Sequence, residues 1–304
     1  MPALRLHIAL YFFVLSLNTV GLAQENTSAI GELTLLQKEF STLANTVLTA
    51  PSNEERKQAS KKLQQALTEV FDLPEAFVYP FDSLTQVSRL FSSNGEVRLF
   101  SWTIPEIDGN AYHYAGVLCR RHPKTKEVTT YVLQDSSAKM VNVTTSQLTP
   151  DNWYGALYYD IITVKHKKNV YYTLLGWKGN NTVTTKKVID VIQFTDGGPV
   201  FGAPVFEDNQ QRQKKLRQVY EFSAEVSMSI HYESDKKVIV LDHLFPSQPS
   251  LEGYFEFYGP DLSFDAYALT KGKWEFIEDY DPGIRPPEEA PSLKKENTLY
   301  RSGN

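Results

Sequence analysis

Residues Asn169–Phe206, NVYYTLLGWKGNNTVTTKKVIDVIQFTDGGPVFGAPVF, constrain this chain more than any other stretch. They carry a dense apolar strand, a glycine-flanked tryptophan, a second apolar segment and a Gly-Gly-Pro corner in close succession. Gly176 and Gly179 around Trp177 supply the free backbone of a tight, irregular turn over 176–181. Thr184–Ile192 reads two ways. Its residue types are β-branched, yet Val188, Ile189, Val191 and Ile192 fit helical spacing behind a threonine cap, and the reading leans to a short helix. Asp196–Pro199 is a turn, and Val200–Phe206 a strand broken by Gly202 and Pro204.

The flanks build sheet outward from this centre. Seventeen Tyr and seventeen Phe in 304 residues favour strands where they cluster. Val97–Ile104, Ala111–Cys119, Val128–Leu133 and Tyr154–Val164 have strand character, with Asp108-Gly109 as a hairpin signal. Tyr220–Tyr232 alternates most cleanly. Phe222, Ala224, Val226, Met228, Ile230 and Tyr232 face one way; Glu221, Ser223, Glu225, Ser227, Ser229 and His231 face the other. Val238–Leu241 is apolar throughout, as in a strand covered on both faces. Tyr254–Tyr258 and Ala266–Ile277, the latter turning at Lys271–Lys273, complete the set.

Two helices precede the strands. Leu33, Leu36, Phe40, Leu43 and Val47 form one stripe, and Ala59, Leu63, Ala66, Leu67 and Val70 a second. Ser52 with Glu55 is a capping-box signature, and Leu73-Pro74 a stop. The stripes span too few heptads for a coiled coil, so they are expected to pack on sheet. The expected fold is α+β, mainly antiparallel β. An N-terminal helical hairpin packs on or beside a large meander-type sheet, sandwich or barrel.

Residues 1–23 read as a secretory signal peptide: Arg5 precedes the apolar run Ile8–Leu17, and Gly21 and Ala23 sit at the −3 and −1 positions of a cleavage site. The run is too short to span a bilayer core of about 30 Å. The expected division is 1–23 signal peptide, 24–75 helical hairpin, 76–281 mainly β domain and 282–304 disordered tail, Pro-rich and without apolar period. No transmembrane segment is expected after cleavage.

Composition excludes more than it selects. Cys119 is the sole cysteine, so an exported chain of this length relies on its core and not on disulfides. Cleavage shifts the net charge from −5 to −6, a poor match for nucleic acid. The histidines are scattered and no H-E-x-x-H, C-x-x-C, P-loop or dinucleotide fingerprint occurs, so no metal or cofactor is expected. Basic turns at Arg120–Lys126, Lys165–Lys168 and Arg212–Arg217 read chiefly as solvated charge that guards sheet edges.

Two sets of candidate residues remain. For ligand binding they are Trp177, Glu221, Ser227 and Ser229, on an aromatic turn and on the polar face of Tyr220–Tyr232. For catalysis they are Glu225 and His231 on that face, with Asp242 and His243 where Val238–Leu241 leaves the sheet. Glu221 and Glu225 would lie roughly 13–14 Å apart along one strand. A glycosidase carboxylate pair needs about 5–10 Å.

The runs LLGWKGN, KKVIDVIQF, GGPVFGAPVF, YEFSAEVSMSIHYE, IVLDHLFPS and FEFYGPDLSFDAY resemble a family of uncharacterised exported bacterial proteins. The resemblance covers Val97–Tyr280 and is weak over the helices. It implies a bacterial, exported protein and supplies no catalytic residues. The sequence therefore points to a non-enzymatic binding or scaffold protein of the periplasm or cell envelope, with a glycan, peptide or envelope protein as partner. The competing reading is an envelope hydrolase acting through Glu225, His231, Asp242 or His243.

Overall fold

The computed structural model describes residues 29–207 and 214–283. The expected signal peptide and residues 284–304 of the expected tail lie outside the described residues. Helix α1 spans 29–49 and α2 spans Asn53–Glu69. Ser52 caps α2, its hydroxyl accepting from the Glu55 amide at 3.2 Å. Leu33, Phe40 and Val47 of the first stripe and Leu63 and Leu67 of the second are buried. They share a core with Phe100, Trp102, Val117 and Cys119, so the hairpin lies directly on sheet.

Three sheets follow. The first holds β1 (Ser88–Phe91), β2 (Val97–Pro105), β3 (Tyr112–Arg121) and β4 (Val128–Gln134) in that order. The second holds β5 (Leu157–His166), β6 (Asn169–Gly179), β7 (Thr184–Thr195) and β10 (Gln218–Ser223) in the order β10-β7-β6-β5, with β8 (Gly198–Phe201) also on β7. The third runs β11 (Ile230–Glu233), β12 (Val238–Pro246), β13 (Tyr258–Thr270), β14 (Lys273–Ile277), β9 (Phe206–Glu207). All pairings are antiparallel except β14 with β9. None of these sheets closes into a barrel.

Strand periodicity explains how the layers stack. In β2, Phe100 and Trp102 meet the helices, while Val97 and Leu99 meet the second sheet. In β6, Tyr172 and Leu174 face the first sheet, and Tyr171 and Leu175 face the third. The order is helices, first sheet, second sheet, third sheet. Each interface is filled by one fully buried tryptophan whose indole N–H is satisfied. Trp102 donates to Ser60 Oγ (2.9 Å), Trp153 to the Tyr158 hydroxyl (3.2 Å) and Trp274 to Thr173 Oγ1 (2.9 Å). A ring of this kind buries about 150–250 Å², worth about 4–6 kcal/mol at 25 cal/mol per Å².

This layering overturns several local expectations. Thr184–Ile192 is not a helix but the first part of β7, the middle of the middle sheet. Val188 and Ile192 face the first sheet; Ile189 and Val191 face the third. A strand covered on both faces produces the same apolar doublets as one helical stripe. Nor is 176–181 a turn. Strand β6 continues to Gly179, and the turn lies beyond it, where Asn181 Oδ1 accepts from the Val183 and Thr184 amides at 2.8 Å each. The two glycines serve packing: a Cβ on Gly176 would sit 2.8 Å from the Tyr158 ring, and one on Gly179 2.5 Å from the Tyr112 ring.

Tyr220–Tyr232 is not one strand. β10 ends at Ser223, the chain bends through Ala224–Ser229, and β11 begins at Ile230 in another sheet. Phe222, Met228 and Ile230 are buried as the alternation requires, but Val226 is exposed at the bend. Tyr254–Tyr258 is not a strand: Phe255–Phe257 form a 3₁₀ turn, and only Tyr258 begins β13. Strand β1 carries no strong strand pattern and was not expected. Arg217, expected as part of a solvated basic turn, is fully buried and paired with Asp190 at 3.0 Å.

Candidate functional site

Where β6 runs out, the seam between the first and second sheets opens into a cleft of about 250 Å³. Tyr112 and His113 of β3, Asp135 and Ser137 just after β4, and Tyr154 before β5 line one side. Lys178 and Asn180 at the end of β6 and Lys186 of β7 line the other. Period-two geometry places Lys178 on the same face of β6 as Tyr172 and Leu174, the face that meets the first sheet. Cross-strand pairing sets Lys186 beside it.

Lys178 is 5% exposed, and its ammonium nitrogen is enclosed by oxygen and aromatic carbon. It lies 3.0 Å from Ser137 Oγ, 2.9 Å from the Tyr154 carbonyl and 2.8 Å from the Gly155 carbonyl. It also sits over the rings of Tyr114 (4.3 Å to the centroid) and Tyr154 (4.7 Å). Burial pulls its pKa from the ordinary 10.5 down to about 8, against the opposing field of Asp135.

The wall opposite is fixed by Asp135. Its carboxylate accepts from the Tyr114 amide (3.1 Å) and the Ser137 amide (2.9 Å), which sets the start of the 3₁₀ turn Ser137–Lys139. Gly155 closes on that carboxylate in a left-handed conformation (φ 65°), and a Cβ there would stand 2.5 Å from Asp135 Cγ. Only glycine suits this position. Two carbonyls are thereby aimed at Lys178.

Tyr154 is 5% exposed and its hydroxyl has no hydrogen-bond partner among the described residues. Burial, then the charge of Glu221, pushes its pKa up to about 12, so it stays a proton donor at neutral pH. The rim charges are already matched. Lys186 pairs with Glu221 at 3.1 Å, Asn180 donates to Glu221 at 3.1 Å, and His113 meets Glu106 at 2.9 Å.

The residues expected from sequence divide sharply. Glu221, opposite Phe222 on β10 as expected, reaches the cleft rim through Lys186 and Asn180, but Ser227 and Ser229 are not on its strand. Trp177 packs edge-on against Tyr112 at 5.3 Å and so backs the cleft without lining it. The rest lie elsewhere. Glu225 and Ser227 are exposed in the bend between β10 and β11. Ser229 gives its amide to Asp242 Oδ2 at 2.7 Å, and its hydroxyl lies 3.5 Å from His231 Nδ1. His231 in turn lies 3.6 Å from Glu233 on this exposed edge, separations too long for firm hydrogen bonds. His243 sits at a bulge in β12 and pairs with Asp265 at 2.9 Å, not with Asp242. Burial works to lower its pKa, but Asp265, Asp261 and Asp279 outweigh that and leave it raised. Glu225, His231, Asp242 and His243 do not converge on one cleft.

Sequence reasoning missed Asp135, Ser137, Tyr154 and Lys178. One signal was available: Lys178 is a lone charge at the end of an apolar run, YYTLLGWK, where a strand buried on both faces has no place for an unpaired cation. Among the described residues no cluster of His, Cys, Asp and Glu is placed to hold a metal, and no helix is long and apolar enough to cross a membrane. No protein family, curated protein or solved structure matches the chain.

Proposed function

We propose that this chain is an exported protein of the cell envelope that acts by binding a small polar ligand, a terminal unit of a glycan or peptide, in the cleft around Tyr154. The observation that carries this reading is the Tyr154 hydroxyl. It is protonated and has no hydrogen-bond partner among the described residues, while Lys186 on the rim is paired with Glu221. A phenolic donor open to the cleft is free to give its proton to an acceptor on a bound ligand. A ligand carbonyl or hydroxyl oxygen supplies that acceptor. Tyr112, stacked edge-on against Trp177, offers an apolar wall beside it. The cleft's volume suits one sugar ring or a short side chain and excludes a folded partner.

The hydrolase reading through Glu225, His231, Asp242 or His243 is not favoured, because those side chains are engaged separately or open to solvent. Export rests on the pattern of residues 1–23 and on the resemblance noted above. Calorimetry of the mature protein against neutral and acetylated monosaccharides and dipeptides tests the binding reading. Tyr154→Phe keeps the ring against Lys178 and deletes only the hydroxyl. It is expected to weaken the best ligand about tenfold or more while leaving the thermal midpoint unchanged. Equal binding by wild type and Tyr154→Phe would refute this site.

A further inference from the structure

We infer that the same cleft holds a serine–lysine acyl-transfer dyad, Ser137 as nucleophile and Lys178 as its general base, acting on a short-acyl ester or amide. The inference rests on the reading of the cleft as a ligand site and adds chemistry to it. Its basis is the arrangement around Lys178 Nζ. A neutral lysine amine has two N–H donors and one lone pair. Two of its three oxygen neighbours, the Tyr154 and Gly155 carbonyls, are acceptors only. The third, Ser137 Oγ at 3.0 Å, is a hydroxyl that can give its proton to the lone pair. The carbonyls thus take both amine hydrogens and leave the lone pair for the serine.

Other features of the cleft suit acyl transfer. Ser137 is half-buried and lines the cleft, and its own amide is held by Asp135 at 2.9 Å, which fixes the hydroxyl-bearing residue at the start of its 3₁₀ turn. Tyr154 lines the same cleft, and its hydroxyl, protonated and with no hydrogen-bond partner among the described residues, is the donor offered to a developing oxyanion. Burial, which brings Lys178 down to about 8, leaves a useful fraction of neutral amine near neutral pH. Serine–lysine pairs are an established variant of the hydrolytic triad.

Ser137 Oγ attacks the acyl carbon as its proton passes to Lys178 Nζ, and the carbonyl electrons move onto oxygen opposite Tyr154. Collapse breaks the bond to the leaving alcohol or amine, which takes the proton from Lys178. Water then attacks the acyl-serine, giving a proton to Lys178. The second collapse returns that proton to Ser137 Oγ and releases the carboxylic acid. The net reaction consumes one water and needs no oxidant or metal.

The test uses the mature full-length chain. A fluorophosphonate probe, followed by peptide mass mapping, is expected to mark Ser137, with labelling that rises with pH to a midpoint near 8. Hydrolysis of 4-methylumbelliferyl acetate is expected to follow the same profile. Ser137→Ala should lower kcat by about a thousandfold with little change in KM or thermal midpoint. Tyr154→Phe should lower kcat about a hundredfold. Lys178→Arg, which keeps charge but cannot act as a base, should abolish labelling, and near-ultraviolet circular dichroism checks that it remains folded. Absence of labelling at Ser137 in folded protein at pH 9, or undiminished turnover in Ser137→Ala, overturns the dyad. If Ser137→Ala still binds the ligand found by calorimetry while no variant shows turnover, the dyad fails and the binding reading stands. Loss of both in the folded wild type ends both.

Discussion

Replacing Lys178 by methionine isolates the energetics of the buried amine. Methionine keeps the aliphatic length but withdraws the donor from the Tyr154 and Gly155 carbonyls and from Ser137. Two carbonyls losing a donor in a site 5% exposed cost about 1–3 kcal/mol each. Against that, the variant no longer buries a charge. A pKa of about 8 in the folded chain against 10.5 ordinarily means that the unfolded chain binds more protons between these values, so this group's contribution makes wild-type stability rise as pH rises through that window. Integrated from pH 7 to pH 9.5, the gain from this one group is about 2 kcal/mol. Urea unfolding followed by tryptophan fluorescence, at half-unit steps over that range, measures it. Lys178→Met is expected to be destabilised at every pH, with a deficit about 2 kcal/mol larger at pH 9.5 than at pH 7. The comparison stops below pH 10 because Tyr114, Tyr154 and Tyr158 are raised by burial, and their contribution falls as pH passes the ordinary tyrosine value of 10. Parallel stability curves for the two proteins would refute the burial argument and weaken the case for Lys178 as a base.

Three other perturbations address different parts of the design. Arg217→Met removes the cation from the fully buried Asp190 side chain, leaving it among the described residues only the Tyr158 hydroxyl and a backbone amide, and is expected to cost about 3–5 kcal/mol in urea denaturation. Gly155→Ala demands a left-handed alanine with its Cβ against the Asp135 carboxylate, and should cost about 2–4 kcal/mol and lower the thermal midpoint more than Gly109→Ala, where φ is also positive but nothing lies within 4 Å. Cys119 is buried and its thiol is pushed up by that burial, so Ellman's reagent should titrate it only after unfolding.

The bend between β10 and β11 shows why part of the fold was not legible. Alternation at Phe222, Met228 and Ile230 correctly marks the inward residues, yet period two survives a change of sheet. Nothing in the pattern registers that β10 pairs with β7 and β11 with β12. The candidate surface built on that imagined continuous strand consequently separated: Glu221 went to the cleft rim, while Ser229 and His231 went to an exposed edge of another sheet.

The cleft itself is assembled from residues far apart in the chain. Asp135, Ser137 and Tyr154 come from the connection between two sheets, and Lys178 from the end of β6. None forms a short motif with its sequence neighbours, so only packing of the first sheet on the second brings Ser137 within 3.0 Å of Lys178.

What the sequence determined by itself was local: two amphipathic helices, a capped start at Ser52, and most of the strands. These follow from periodicity and turn chemistry, which act over a few residues. The tertiary structure decided whether Thr184–Thr195 was helix or strand, where the glycines of LLGWKG were needed and which charges were buried. A strand covered on both faces loses its alternation, and the identity of what covers it resides in segments distant in sequence. For the same reason Asn169–Phe206, the stretch that most constrained the fold, also holds Lys178, the residue on which the proposed chemistry turns.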